Sequence, residues 1–318
     1  MESRNLVIGA TGGIGRSVVK ALIERGESVS VFIRNKEKAE KYFAEFPNIE
    51  IIEGNAYSSF DIEQACLEKQ NVFYCCNIPY PEWKHDAKKL LRISLHAAIK
   101  SKAKFIFPGN VYVYGHVKSN PVSENYPWNA HTRKGNIRIE MENLIKERTS
   151  ERHGKYCIVR FPDFYGPYVV NDFSEKLYLN ARKGKKLIWI GNPNTITEYV
   201  FVEDAGKALV EAALSNKSDN QEYNFPSNSP CTNKEYLNTV IKVSGKNSST
   251  HFLNSNILFF TLGLFNKTIC ELKEMLYLKR EKLVLDGHKF KSTFGFLSET
   301  NLDSGVKKTF EWANNFFR

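Results

Sequence analysis

The sequence predicts an α/β protein in which a doubly wound parallel sheet is followed by a smaller C-terminal α+β lobe. From the N-terminus to Arg160, short apolar runs alternate with segments whose apolar residues recur three and four positions apart. Strict alternation of strand and helix requires right-handed crossovers, which give parallel strands with helices on both faces of the sheet. After Arg160 the alternation stops, so a differently built lobe is expected to begin there.

Six strands are expected in the first part of the chain. Between them lie helices such as IGRSVVKALIERG and HDAKKLLRISLHAAIKS, each with one apolar face. The predicted strands are 5–8, 28–33, 49–53, 72–76, 104–107 and 156–160.

The region after Arg160 contains polar loops, isolated strands (KLIWIG, EYVFV and QEYNF) and helices that include TNKEYLNTVIKVSG and SGVKKTFEWANNFF. We predict a first domain at 1–165 and a second lobe at 166–318. The second lobe is expected to lie over the carboxyl ends of the strands, where sheets of this kind bind ligands. Segments near 196–215 are candidates to return to the first domain.

The composition favours a globular protein with a small anionic partner. Of 318 residues, 42% are hydrophobic and 25% charged, and the net charge is +10. Since Lys and Arg are spread along the chain and no nucleic-acid-binding motif occurs, we expect a small molecule and no nucleic acid. Six cysteines lack a C-x-x-C pair or a histidine at ligand spacing, so no metal site is predicted.

No membrane-spanning segment is expected. The longest apolar run, 257–265, is far shorter than the roughly 20 residues that cross a bilayer, and we interpret it as a buried helix. MESRN leads directly into LVIGA without room for a signal peptide, which predicts a cytoplasmic protein.

A glycine-rich turn joins the first strand to the first helix. LVIG runs into ATGGIG, so Gly9, Gly12 and Gly15 form G-x-x-G-x-x-G at this junction. A phosphate approaches backbone N–H groups at a helix N-terminus only where side chains do not hold it away. We therefore predict a Rossmann-type dinucleotide site here; the alternative is a merely tight turn. The expected contacts at the turn are Gly9, Thr11, Gly12, Gly13, Ile14 and Gly15.

Three further positions are predicted to bind the cofactor. Arg34 follows the second strand, where an NAD site usually has a carboxylate, and its planar fork suits a 2′-phosphate. NADP is therefore the expected cofactor, while NAD, with Arg34 as a solvated loop residue, stays open. Asn55 after the third strand is expected at the adenine, and Asn77 after the fourth at the border of the cofactor.

Four motifs in order, GATGGIG, VYVYG, a lysine (Lys134) opening the next helix and RFPDFYGP, resemble those of the extended short-chain dehydrogenase/reductases. The nucleotide-sugar epimerases and dehydratases are the most similar branch. The resemblance implies that Lys134 holds the nicotinamide ribose. It also implies oxidoreductase, epimerase or dehydratase chemistry on a carbonyl or secondary alcohol, with a nucleotide sugar as one candidate substrate. A homodimer through the helices flanking Lys134 is one arrangement that it allows.

The sequence departs from the family pattern at two polar positions. The resemblance implies a tyrosine four residues before the lysine and a serine or threonine before the V-Y-G motif, and these positions hold Ala130 and Asn110. A lysine one helical turn from a phenol would lower the pKa of that phenol, and Ala130 provides none. The catalytic site is therefore predicted to be altered.

Several residues are candidates to replace the missing tyrosine. His131 lies three positions before Lys134 and titrates near neutral pH. Asn110 could polarise a carbonyl, and Tyr165 in the loop after the sixth strand offers a phenol. For each, ordinary packing or hydrogen bonding is the alternative. The predicted catalytic set is Lys134, His131, Asn110 and Tyr165.

Two functions follow from this pattern. The first is an NADP-dependent enzyme with a non-standard proton donor, and it is favoured because a full second lobe with a proline-stiffened cleft loop is present. The second is a redox sensor or regulatory protein that binds NADP without turnover, and it rests on Ala130 and Asn110. A scaffold that binds no nucleotide is disfavoured by the glycine-rich turn and Arg34.

Overall fold

The computed structural model describes residues 4–46, 48–170, 172–254 and 273–316. The apolar run predicted as a buried helix at 257–265 and Cys270 lie outside these ranges. No helix within the described ranges is long and apolar enough to cross a membrane.

The bounds of the strands and helices are as follows. The strands are β1 (Asn5–Ile8), β2 (Val29–Ile33), β3 (Glu50–Glu53), β4 (Asn71–Tyr74), β5 (Lys104–Asn110), β6 (Lys155–Phe161), β7 (Asp163–Tyr165), β8 (Leu187–Ile190), β9 (Ile196–Thr197), β10 (Tyr199–Phe201), β11 (Gln221–Asn224), β12 (Cys231–Thr232) and β13 (Thr250–Leu253). The α-helices are α1 (Gly13–Glu24), α2 (Lys36–Tyr42), α3 (Ser59–Cys66), α4 (Lys88–Lys100), α5 (Arg133–Glu151), α6 (Asp172–Arg182), α7 (Val202–Leu214), α8 (Asn233–Ser244), α9 (His288–Phe294) and α10 (Leu302–Phe316).

Seven parallel strands form the main sheet, in the order β11-β6-β5-β4-β1-β2-β3. Strands β1 to β3 extend to one side of the centre and β4 to β6 to the other, so the sheet is doubly wound, as predicted. The seventh strand corrects the sequence-based assignment. QEYNF was expected in the second lobe, but β11 pairs with β6 and completes the edge of the main sheet.

Side chains of the central strands alternate between two apolar layers. In β4, Val72 and Tyr74 lie in the layer under α3, α4 and α5, whereas Phe73 lies in the layer under α1 and α7. Successive side chains of a strand point to opposite faces, and a strand covered on both faces must be apolar throughout. This explains why β4 has no polar face to expose.

The chain returns to the first domain after its first excursion into the second lobe. Helix α7 packs tightly on α1, since a Cβ on Gly206 would lie 2.5 Å from the carbonyl carbon of Ser17. The rest of the second lobe has its own apolar cluster, which includes Tyr165, Leu177, Tyr236 and Phe310. A boundary at 165/166 stays a prediction.

Candidate active site at the carboxyl edge of the sheet

The glycine-rich turn is fixed by close approaches of backbone to backbone. Gly9 has φ +85°, and a Cβ there would lie 2.6 Å from the carbonyl carbon of Cys75 at the end of β4. A Cβ on Gly15 would lie 2.2 Å from the carbonyl oxygen of Gly9. Only glycine satisfies both constraints, so strand β1 and helix α1 can meet at this angle.

Gly12 has a different environment. A Cβ on Gly12 would have only the carbonyl oxygen of Gly9 within 4 Å, at 3.7 Å, so its side-chain direction is open. Gly12 is also the N-cap of α1, and no side chain caps the N–H groups of the first turn. An uncapped helix N-terminus beside an open glycine fits the pyrophosphate of a dinucleotide.

The neighbouring positions of the turn contact other parts of the chain. A Cβ on Gly13 would lie 2.9 Å from Cγ2 of Val169, so the loop after β7 lies against the start of α1. The carbonyl oxygen of Thr11 accepts a hydrogen bond of 2.8 Å from the Tyr42 hydroxyl. Ile14 packs against the apolar layer under α1. These residues are predicted to bind the cofactor because they lie in the glycine-rich turn.

Arg34, Asn55 and Asn77 follow β2, β3 and β4 and are exposed at the same edge of the sheet. Burial raises the pKa of the Cys76 thiol to about 12, and the positive charge of Arg34 opposes this shift. The side-chain oxygen of Asn55 accepts a hydrogen bond of 3.0 Å from the backbone N–H of Tyr57.

Lys134 is fully buried at the start of α5. Thr132 is the N-cap of this helix, and its hydroxyl oxygen accepts from the backbone N–H of Gly135 at 3.0 Å. The ammonium group of Lys134 lies 4.7 Å from the ring centre of Tyr80 and forms an ion pair with Glu274. Tyr80 follows β4 in the chain. Its contact with Lys134 therefore places the lysine near the carboxyl end of that strand.

The start of α5 corrects the argument for His131. Because the helix begins at Arg133, Ala130 and His131 precede it, and helical spacing does not bring His131 to Lys134. The exposed imidazole stacks on His116, with ring centres 3.8 Å apart, and meets the edge of Tyr277 at 4.6 Å. Burial and the neighbouring His116 lower the pKa of His131.

The other two catalytic candidates have structural contacts. The side-chain oxygen of Asn110 accepts from the backbone N–H of Tyr112 at 3.1 Å and so begins the turn after β5. The ring of Tyr165 is buried in the second-lobe cluster against Phe201 and Tyr236. Burial raises the pKa of Tyr165 well above its ordinary value. The described contacts do not bring Tyr165 to Lys134.

Two phenols that the sequence reasoning missed lie beside Lys134. The hydroxyls of Tyr80 and Tyr112 are 3.0 Å apart and share a hydrogen bond. Burial raises the pKa of both groups. Each tyrosine follows the carboxyl end of a central strand, so the rule that ligands bind at this edge could have identified them. Tyr114 of the V-Y-G motif, in contrast, is buried and donates to Asn224 at 2.8 Å.

Fold and site together define a dinucleotide-binding α/β protein with a buried lysine at the edge of the sheet. Residues 5–225 match the NAD dependent epimerase/dehydratase family, and the chain belongs to that family. This confirms the resemblance found in the sequence and agrees with a nicotinamide dinucleotide as the cofactor class.

A curated relative and several solved structures are similar to the chain. An uncharacterized protein, y4nG of Sinorhizobium fredii, is 25% identical over 243 residues, which are 74% of this chain and 59% of the relative. UDP-glucose 4-epimerase of Thermotoga maritima, solved with UDP-glucose, is 20% identical with a TM-score of 0.79 over 99% of both chains. UDP-glucuronic acid 4-epimerase of Bacillus cereus, solved with NAD, is 18% identical with a TM-score of 0.80 over 99% of both chains. At these identities the solved structures establish the fold.

Proposed function

We propose that the protein is an NADP-dependent enzyme of the epimerase, dehydratase or reductase type that acts on a secondary alcohol or carbonyl of a nucleotide sugar. The observation that carries this proposal is Lys134, buried at the N-terminus of α5 and packed on Tyr80 at the edge where the glycine-rich turn ends β1. A buried ammonium group at this edge suits the ribose of a dinucleotide.

The cofactor would be held by the open N-terminus of α1, by Lys134 and by Arg34. When bound, it would accept or return a hydride at its nicotinamide ring. Arg34 supports NADP over NAD because its guanidinium can bind a phosphate through two parallel N–H groups. Asn55 and Asn77 remain predicted contacts to the adenine and to the nicotinamide side.

The substrate would lie between the sheet edge and the second lobe. Two similar structures bind UDP-glucose or have UDP-glucuronic acid as their named substrate, which supports an anionic nucleotide sugar. His131, Asn110 and Tyr165 remain catalytic predictions, and the Tyr80–Tyr112 pair adds two protonated phenols beside Lys134. A cytoplasmic location and a homodimer likewise stay predictions.

The test is a binding and turnover experiment on the purified protein. NAD, NADP and NADPH are titrated by calorimetry, and UDP-glucose, UDP-glucuronic acid, UDP-N-acetylglucosamine and dTDP-glucose are then incubated with the protein and the preferred cofactor. We expect tighter binding of NADP than of NAD, and conversion of at least one nucleotide sugar, detected by chromatography. No cofactor binding, or binding without any conversion, contradicts the proposal.

A cofactor-binding sensor is the second candidate, and a specific observation favours it. Ala130 has no group that can move a proton, and the side-chain oxygen of Asn110 is engaged by the backbone of Tyr112. Distinct affinities for NADP and NADPH, together with absence of turnover on the whole panel, would favour this function over the enzyme.

A further inference from the structure

Glu274 lies in a segment of the second lobe, residues 274–281, that contacts residues following β5 and β6 at several points. The carboxylate of Glu274 contacts Lys134, Lys279 pairs with Asp163, and the carboxylate of Glu281 accepts from His116 at 2.7 Å. A part of the chain more than a hundred residues distant therefore supplies charged groups to the candidate site.

The negative carboxylate of Glu274 is held by positively charged or hydrogen-bond-donating groups. One oxygen contacts the ammonium group of Lys134, and the other accepts a hydrogen bond of 2.9 Å from the backbone N–H of Arg133 in the first turn of α5. The guanidinium of Arg133 lies 3.9 Å from the first oxygen. The positive end of the helix dipole and two cations thus compensate a carboxylate at this position.

We propose that Glu274 supplies the proton-transferring group that Ala130 lacks. This role rests on the proposed function. In the family pattern a phenol would be next to the lysine; here the group in contact with the lysine ammonium is a carboxylate from the other lobe. Glu274 is one-fifth exposed on its side chain, so the carboxylate can face a substrate as well as Lys134.

In the oxidative direction the substrate hydroxyl would give its proton to the Glu274 carboxylate, and the hydrogen on the carbinol carbon would leave as hydride, for which the bound oxidised cofactor would supply the acceptor. The ketone, the reduced cofactor and protonated Glu274 would result, and Glu274 would return the proton when the ketone is reduced. Tyr80 and Tyr112 suit this step less well, because burial raises their pKa values and so disfavours the phenolate form that would accept the proton.

Glu274→Gln tests the role, since it keeps the size and a hydrogen-bonding oxygen but cannot take up a proton. The control is Glu140→Gln, on the same helix as Lys134, which removes the carboxylate from an exposed ion pair with Lys88. Both variants are compared with the wild type for thermal midpoint, for NADP and NADPH affinity by calorimetry, and for conversion of the nucleotide sugar that the wild type accepts.

We expect Glu274→Gln to lose about 100-fold or more in turnover, the size typical of a lost acid/base group, while its NADP affinity stays within about threefold of wild type. Glu274→Asp should recover part of the turnover. Glu140→Gln should match the wild type.

Three outcomes overturn the role. Equal turnover in Glu274→Gln and wild type means that Glu274 moves no proton, although the proposed function still holds. Tenfold tighter binding of NADP by Glu274→Gln means that Glu274 instead competes with the cofactor for Lys134. A wild type that binds NADP and converts no substrate of the panel overturns the proposed function, and this role falls with it.

Discussion

The glycine-rich turn and the surroundings of Lys134 lie at the same edge of the sheet, but different parts of the chain determine their shapes. The turn is determined by backbone atoms, as in the contact of Gly15 with the carbonyl oxygen of Gly9. The surroundings of Lys134 are determined by side chains from separate segments, namely Tyr80, Tyr112 and Glu274. A site built from backbone atoms therefore leaves a local glycine pattern in the sequence, whereas a site built from side chains of separate segments leaves no such pattern.

The largest expected effect is at the turn itself. Gly15→Val would place side-chain carbon 2.2 Å from the carbonyl oxygen of Gly9, so β1 and α1 must move apart. Forcing methyl groups into a close-packed site typically costs about 1–3 kcal/mol, and we expect a lower thermal midpoint together with loss of NADP binding.

Gly12→Ala is the matched control for this prediction. Its Cβ would lie 3.7 Å from the nearest non-neighbouring atom, so the thermal midpoint should stay at the wild-type value while NADP binds more weakly in calorimetry. If Gly12→Ala bound NADP as tightly as wild type, the glycine-rich turn would not be the pyrophosphate site.

The next largest effect is at Lys134. Lys134→Met should reduce NADP affinity and abolish turnover, because the variant lacks the buried ammonium group that is predicted to hold the nicotinamide ribose. Calorimetry and chromatography measure the two losses.

A double-mutant cycle of Lys134→Met with Glu274→Gln tests the ion pair. The losses of unfolding free energy in the two single variants should not add up to the loss in the double variant. A coupling of about 0.5–3 kcal/mol is expected for charged groups in contact, as measured by urea denaturation. Strict additivity would mean that the ion pair has no energetic role.

Arg34→Ala should change cofactor preference more than stability. The exposed guanidinium is predicted to bind the 2′-phosphate, so NADP affinity should fall about tenfold or more, the loss of one charge-assisted hydrogen-bonding group. NAD carries no such phosphate, and its affinity should stay the same. Equal changes for the two cofactors in calorimetry would contradict the assignment of NADP.

His131→Gln should have the smallest effect on turnover, because His131 precedes α5 and its ring stacks on His116. A large loss of turnover would restore His131 as the proton donor.

His131→Gln should also change how the thermal midpoint depends on pH. The folded-state pKa of His131 is lowered, so its stabilising contribution is present above the unfolded value near 6.5 and is lost as pH falls below it. The thermal midpoint of His131→Gln should therefore fall less on acidification than that of wild type.

The doubly wound sheet could be predicted because alternating strands and helices are local patterns. β11 could not be placed from sequence: QEYN is short and polar, and it pairs with β6 only after the chain has passed through the second lobe. Its polar residues suit a strand at the sheet edge, where Glu222 pairs with Lys146. Local patterning does not report which edge a late strand joins.

The parts of the candidate site that could be predicted are those whose backbone positions are fixed by sequence motifs. Lys134 and the glycine-rich turn were predicted in this way, and their cofactor roles stay predictions. Tyr80 and Tyr112 could have been found from the ends of β4 and β5. Glu274 could not, because nothing near it in the sequence indicates that it contacts Lys134.

The distance along the chain between the members of each site sets how much of the chain that site requires. The contacts of Gly9 with Cys75 and of Gly15 with Gly9 join positions within the first 75 residues. The pair of Lys134 and Glu274 joins positions 140 residues apart and forms only when the second lobe docks. The glycine-rich turn therefore depends on a short part of the chain, whereas the reactive pair requires contact between residues of the first domain and of the second lobe.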